Sequence, residues 1–198
     1  DSGVPTFRGA EGLWRQYRAE ELASPDAFER DPKLVWEWYS WRRELIATKV
    51  PNLAHEALVT LAAQFSPFLL ITQNVDGLHR KAGSKDVVEM HGNIWRVRCT
   101  RCSTVTENRD LPIAYPLECE ACGGLLRPHI VWFGEPLDPQ IMDQCMQALQ
   151  SCDVLLVIGT SGVVQPAGAF AMMAKQAGAY TVEINLNPTP SSGTMDMV

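Results

Sequence analysis

The chain has no apolar run near the roughly 18 residues that a membrane-spanning helix needs, which excludes a protein held in a bilayer by helices. It has no basic excess either. Seventeen Lys and Arg stand against 23 Asp and Glu, a net charge of −6. That argues against a general nucleic-acid binder, because phosphate contacts need clustered cations, and it leaves room only for a local basic groove. Charged residues are few, 20% against 46% hydrophobic, so the chain is not one that stays disordered. Six cysteines in 198 residues are too sparse for a secreted disulfide scaffold. A reducing compartment fits better, and the expectation is an intracellular protein, cytoplasmic or mitochondrial. There is no targeting segment, internal repeat or low-complexity tract. The opening Ser2-Gly3-Val4-Pro5 has no helix or strand pattern and reads as a cut end.

What remains is enough for one sizeable domain with a small appended module. Residues 10–66 read as helical. Leu13, Trp14 and Tyr17 would share a face, and Ser24-Pro25 and Asp31-Pro32 are helix starts with proline in the first turn. The segment Pro32 to Lys49 is the strongest helix, and Ala54 to Phe65 is the next. Then the period changes. Phe68 to Thr72, Val87 to Met90, Asp153 to Ile158 and Tyr180 to Leu186 are short apolar runs that end in polar loops. Such runs suit parallel strands buried on both faces. Helical stretches at Pro139 to Cys152 and Pro166 to Gln176 lie between them. The alternation predicts an α/β doubly wound parallel sheet, which binds ligands beyond the carboxyl ends of its strands.

Residues 93–128 interrupt the alternation. Cys99-x-x-Cys102, sixteen residues, then Cys119-x-x-Cys122 is a zinc-ribbon spacing. Four thiolates close a tetrahedral site with no position left for water, so the metal would be structural. Gly123-Gly124 would let the backbone turn tightly around it. The competing reading is a pair of redox dithiols, or cysteines together by chance.

Three polar clusters fall at strand ends. Gln73-Asn74-Val75-Asp76 offers two amides and a carboxylate where a nucleotide would sit, or else an Asx turn capping the next helix. His91, followed by Gly92, is either structural or a general base titrating near neutrality. Gly159-Thr160-Ser161-Gly162 suits close phosphate approach, or is a plain strand-to-helix turn.

A further signal lies on the helix from Pro32. At about 100° per residue, Val35, Trp38, Tyr39, Leu45 and Ile46 share a face, with Arg42 near its middle. A cation on an apolar stripe needs a partner or a ligand. Tyr39, three residues earlier, can converge with it. Otherwise Arg42 snorkels outward or pairs with an internal carboxylate.

Taken in order, Gly3-Val4-Pro5-Thr6-Phe7-Arg8, Gln73-Asn74-Val75-Asp76, His91-Gly92, the four cysteines, Pro128-His129-Ile130-Val131-Trp132-Phe133-Gly134-Glu135 and Gly159-Thr160-Ser161 resemble the sirtuin family. The resemblance implies an NAD-dependent protein-lysine deacylase with a Rossmann-like domain over 1–92 and 129–198 and a zinc ribbon over 93–128. It makes His91 the catalytic base. It places Asn74 and Asp76 at the nicotinamide and ribose end of NAD, and Gln73, Gly159, Thr160 and Ser161 at ribose and phosphate. Phe7 and Arg8 match the cofactor loop, and Asn185 an adenosine contact. Val131, Trp132, Phe133, Gly134 and Glu135 match the segment that takes substrate backbone as an added strand. The zinc ligands would be Cys99, Cys102, Cys119 and Cys122.

Tyr39 and Arg42 match the Tyr-x-x-Arg pair of the sirtuins that remove succinyl, malonyl and glutaryl groups, and Ala23 a small residue widening that acyl pocket. Arginine suits a substrate carboxylate because it grips both oxygens. The implied partners are acylated lysine side chains of proteins, with no specific nucleic-acid or membrane binding. Two other functions use the same residues: a zinc-stabilised module that only binds acyl-lysine peptides, and a protein ADP-ribosyltransferase. Sirtuins also carry a first strand with a Gly-Ala-Gly phosphate loop before Ser-Gly-Val-Pro, and further adenosine-side structure at the end. The resemblance therefore implies that this stretch lacks its N-terminal strand and C-terminal end, and binds NAD poorly.

Overall fold

Side chains that take the orphan amides set the helix starts. Ser24 accepts from Ala27 N–H at the start of α2 (Pro25–Arg30), after a single turn α1 (Ala19–Leu22). Asp31 accepts from Leu34 N–H and Pro32 occupies the first turn of α3 (Pro32–Ala47). Asn52 caps α4 (Leu53–Gln64) through Ala54 and His55 N–H. Each such cap contributes about 1 kcal/mol. The structure, a computed structural model, describes residues 2–4, 13–14 and 17–198, so Phe7 and Arg8 lie outside the described residues.

The expectation of helix from residue 10 is corrected at its start. Leu13–Trp14 (β1) pairs antiparallel with Tyr17–Arg18 (β2) and α-helix is described from Ala19, while residues 10–12 and 15–16 of the expected helix lie outside the described residues.

Two compact units follow, Asp1–Leu137 and Asp138–Val198. In the first, α3 supplies much of the core. Val35, Trp36, Trp38, Tyr39, Arg43 and Ile46 are all 2% exposed or less, packed with Leu22, Phe28, Ile94 and Val97. Burial of each large apolar side chain there stabilises by about 1.5–3 kcal/mol. The buried face is wider than the periodicity showed: Trp36 and Arg43 belong to it, and Leu45 is only half-buried. β3 (Leu70–Thr72) runs parallel to β4 (Val87–Glu89), with α5 (Leu78–Ala82) in the crossover. An antiparallel sheet of β5 (Gly92–Cys99), β6 (Val105–Glu107) and β7 (Leu126–Ile130) follows in the order β6-β5-β7 and carries the cysteines at one end.

The second unit holds α6 (Pro139–Ser151), then β8 (Val154–Ile158) parallel to β9 (Tyr180–Ile184), with α7 (Phe170–Gln176) between the strands. All four expected strands are present, each one or two residues shorter than its apolar run. Among the described residues no helix is long and apolar enough to cross a membrane.

Candidate active site and metal centre

Strand β4 ends at Glu89, and the turn after it presents His91, half-buried. His91 Nδ1 lies 3.1 Å from the carbonyl oxygen of Gln73. A carbonyl can only accept, so Nδ1 carries the proton and the neutral ring is left with a lone pair on Nε2. The same residue's carbonyl accepts from Val131 N–H at 2.9 Å. Gly92 is required for a backbone reason: it has φ +82°, and a Cβ there would overlap the His129 carbonyl oxygen. The room it makes is for strand β7, not beside the imidazole ring.

The loop after β3 is clamped from strand β5. Trp95 Nε1 donates to the Asp76 carbonyl at 2.9 Å, and Ile94 N–H to the Val75 carbonyl at 2.8 Å. Asp76, 9% exposed, accepts from Leu78 N–H at 2.8 Å through Oδ1, so the Asx turn expected as an alternative is present. Asn74 is exposed at the same loop, with its N–H on Thr72 Oγ1. Arg43, which the sequence reading passed over, is fully buried between the Trp36 and Trp95 rings. It donates to Ile94 O at 2.7 Å and to Asn108 Oδ1 at 2.5 Å. Burial lowers its pKa to about 10, still protonated at neutral pH.

Arg42 does not snorkel. It is 6% exposed, with its guanidinium 5.4 Å from the centre of the Trp38 ring. Burial pushes its pKa down, and the charges of Tyr39 and Asp76 pull it back. Tyr39 is wholly buried, and desolvation holds its phenol well above the ordinary range. Its hydroxyl oxygen accepts from Trp132 Nε1 at 2.8 Å. Because that bond uses an oxygen lone pair, the Tyr39 hydroxyl hydrogen is left to donate elsewhere.

The segment Val131 to Glu135 is brought against both expected acyl-pocket elements. Phe133 N–H donates to the carbonyl of Ala23, itself 3% exposed, and Trp132 reaches Tyr39. Glu135 closes the turn on itself, accepting from Trp132 N–H while its own N–H donates to Trp132 O. Arg127 grips both Glu135 oxygens, at 2.5 and 2.8 Å. Burial would raise the Glu135 pKa, but Arg127, the Trp132 N–H and Arg98 outweigh it and hold the carboxyl below its usual range.

In the second unit, β8 ends at Gly159, where φ is +61°. Thr160 Oγ1 accepts from Gly162 N–H at 3.3 Å, and Ser161 is exposed. Asn185, just past β9, donates from Nδ2 to the Thr160 carbonyl at 2.6 Å. Two of the expected cofactor residues are thus brought together at the carboxyl ends of β8 and β9.

The four paired cysteines converge, with their sulfur atoms all within 4.8 Å of one another and none in a disulfide. Cys99 to Cys122 is 3.5 Å and Cys102 to Cys119 is 3.7 Å. A zinc tetrahedron with Zn–S of about 2.3 Å has sulfur edges of about 3.8 Å. The Arg101 and Cys102 N–H groups point at Cys99 Sγ, at 3.3 and 3.4 Å, as suits a thiolate. A Cβ on Gly124 would lie 2.9 Å from Cys99 Sγ and 3.3 Å from Cys122 Sγ, so the sulfurs themselves demand glycine there. The donor set fits a structural zinc ion.

The Sir2 family pattern matches residues 1–166. An NAD-dependent protein deacylase of Aquifex aeolicus is 50% identical over 198 residues, covering all of this chain and 83% of that protein. One from Pyrobaculum aerophilum is 52% identical over 198 residues, covering all of this chain and 79% of that protein. The crystal structure of a Sir2 homologue in complex with NAD superposes with a TM-score of 0.93 at 48% identity, over 99% of this chain and 77% of that one. Fold and site define a Rossmann-like α/β protein with a parallel sheet and a zinc-binding cysteine cluster. The chain belongs to the Sir2 family.

Proposed function

We propose that this chain, an NAD-dependent protein deacylase by its family, prefers lysines carrying a carboxylate-tipped acyl group: succinyl, malonyl or glutaryl. The observation that carries the preference is the buried pair on α3. Arg42 supplies a desolvated cation, and Tyr39, its oxygen already taken by Trp132 Nε1, supplies a free O–H donor three residues away. At 6% exposure and beside the Trp38 ring, the Arg42 cation sits where low local dielectric strengthens a charge-assisted bond. A substrate carboxylate offers both groups a charge-assisted partner. Ala23, whose carbonyl accepts from Phe133 N–H, is assigned as the small residue that widens the pocket.

The remaining assignments follow the same reading. When bound, NAD supplies the ribose carbon that receives the acyl oxygen and gives up nicotinamide. His91 accepts a proton at Nε2, because the Gln73 carbonyl fixes its proton on Nδ1. Asn74 and Asp76 are assigned to the nicotinamide and ribose end, and Gln73 to the ribose and phosphate side. Asp76 is held in place by Trp95 and Leu78. In the second unit, Gly159, Thr160, Ser161 and Asn185 are assigned to the phosphate and adenosine end. Val131 to Glu135 offers its backbone to the peptide as an added strand. Residues 93–128 form the zinc module, whose ligands are Cys99, Cys102, Cys119 and Cys122, inserted between the cofactor-binding portions 1–92 and 129–198. Protein acyl-lysines are the partners.

The test is nicotinamide release from NAD with one peptide sequence carrying succinyl-, malonyl-, glutaryl- or acetyl-lysine, by wild type and by Arg42→Met. The proposal expects the carboxylated acyl groups to be favoured, and the variant to lose that preference. An equal loss on all four would remove the pocket assignment.

A further inference from the structure

Among the described residues, Arg127 is a buried cation held by several partners at once. It is 7% exposed at the second position of β7. Its Nη1 and Nη2 hold both carboxylate oxygens of Glu135, at 2.5 and 2.8 Å. Nη2 also donates to the Ile130 carbonyl at 3.0 Å, and Nε to the Pro128 carbonyl at 3.4 Å. The guanidinium carbon stacks 3.4 Å from the centre of the Trp132 ring. One side chain therefore fixes the start, middle and end of the segment from Pro128 to Glu135.

That segment is attached outward to His91, through Val131 N–H, and to both expected acyl-pocket elements. Phe133 N–H reaches Ala23, and Trp132 Nε1 reaches Tyr39. Glu135, expected to meet substrate, spends its carboxylate on Arg127 and on Trp132 N–H. Arg98 Nη2 also lies 3.8 Å from Oε1, so both oxygens are committed within the protein.

We infer that Arg127 is a positioning residue for the peptide substrate: through Glu135 and the Trp132 ring it holds Val131 to Glu135 in the shape that receives substrate backbone and that aims Trp132 at Tyr39. The inference rests on the reading of Val131 to Glu135 as the substrate strand. Lysine cannot replace the arginine, because it lacks the planar fork that holds two oxygens and stacks on an indole at once.

The experiment uses the full chain with Arg127→Lys, an acyl-lysine peptide and NAD, each substrate varied at saturating levels of the other. KM for the peptide is expected to rise about tenfold, as a loosened positioning shell does. KM for NAD is expected to stay within about twofold of wild type. A drop in thermal midpoint with both KM values unchanged would mean a purely structural residue and overturn the inference. If Arg127→Lys does not fold, Glu135→Gln keeps the shape and weakens the same grip. The same split between the two KM values is then expected, and equal rises in both would overturn it. A peptide N-methylated at the amides flanking the acyl-lysine separates the two levels. If wild type turns it over like the parent while the Arg127→Lys split persists, the strand reading falls and the positioning role stands through Tyr39. If methylation weakens turnover but no split is seen, the strand reading stands and the role of Arg127 falls.

Discussion

Trp132 donates its indole N–H to the hydroxyl oxygen of Tyr39 at 2.8 Å, across 93 positions of sequence. That bond ties the segment assigned to peptide backbone to the helix assigned to the acyl group. It also decides which way the phenol can donate, since its oxygen is already accepting.

The first prediction concerns that phenol. Tyr39→Phe keeps the ring against Trp38, where the centroids are 4.6 Å apart, and removes only the hydroxyl. A hydrogen bond to a charged group contributes about 1.5–3 kcal/mol. Succinyl-lysine kcat/KM should therefore fall about 10- to 100-fold relative to acetyl-lysine. Steady-state kinetics on matched peptides check this, and an unchanged ratio would remove Tyr39 from acyl recognition.

His91→Asn should leave NAD and peptide binding measurable and lower deacylation by about 10²- to 10⁴-fold, the usual contribution of a general base. Binding by calorimetry alongside turnover on the same sample distinguishes a lost base from a lost fold. Turnover at the wild-type rate would exclude His91 as the base.

Metal removal is the third case. One zinc per chain is expected by elemental analysis, and chelation or Cys119→Ser should lower the thermal midpoint and expose the thiols to alkylation, since binding free energy at such sites is folding free energy. Four thiols that alkylate equally fast with and without chelator would contradict the assignment.

The fourth prediction is a pH dependence. The His55 and His79 rings meet at a 47° tilt with centroids 4.5 Å apart, joining α4 to α5. Burial lowers both pKa values; His55 also lowers that of His79, against the charges of Asp76 and Glu89. His79 Nδ1 is buried with no hydrogen-bond partner. The folded state thus favours neutral rings, and below about pH 6.5 the unfolded chain binds more protons. Stability should fall as pH drops from about 7 to 5, and His79→Phe should flatten that slope. Urea midpoints at the two pH values measure it, and a parallel fall in the variant would assign the effect to other groups.

Much of this was legible from residue order. Cys99, Cys102, Cys119 and Cys122 declared the metal centre by spacing alone, because two residues between ligands is what one ion requires. The four strands showed as apolar runs, but burial on both faces is not found in β8 and β9, which leave Val154, Leu156 and Ile158, and Tyr180 and Ile184, exposed. Arg42 was visible as a cation on an apolar stripe. Arg43 was not, although it is the more deeply buried, because its partners Ile94 and Asn108 come from a distant strand and loop that helical periodicity does not reveal. Arg127 was hidden for a similar reason. It lies in the cysteine segment that was read for its metal ligands, and only the turn at Phe133-Gly134 brings Glu135 back to it.

The central claim is that a buried Tyr39–Arg42 pair in a Sir2-family chain selects a carboxylate-tipped acyl group. The most direct measurement is kcat/KM for succinyl-lysine against acetyl-lysine in one peptide with saturating NAD, followed by nicotinamide release. The account predicts that succinyl-lysine is favoured by at least about tenfold, the equivalent of one charge-assisted hydrogen bond. Acetyl-lysine turned over as well as or better than succinyl-lysine would contradict it.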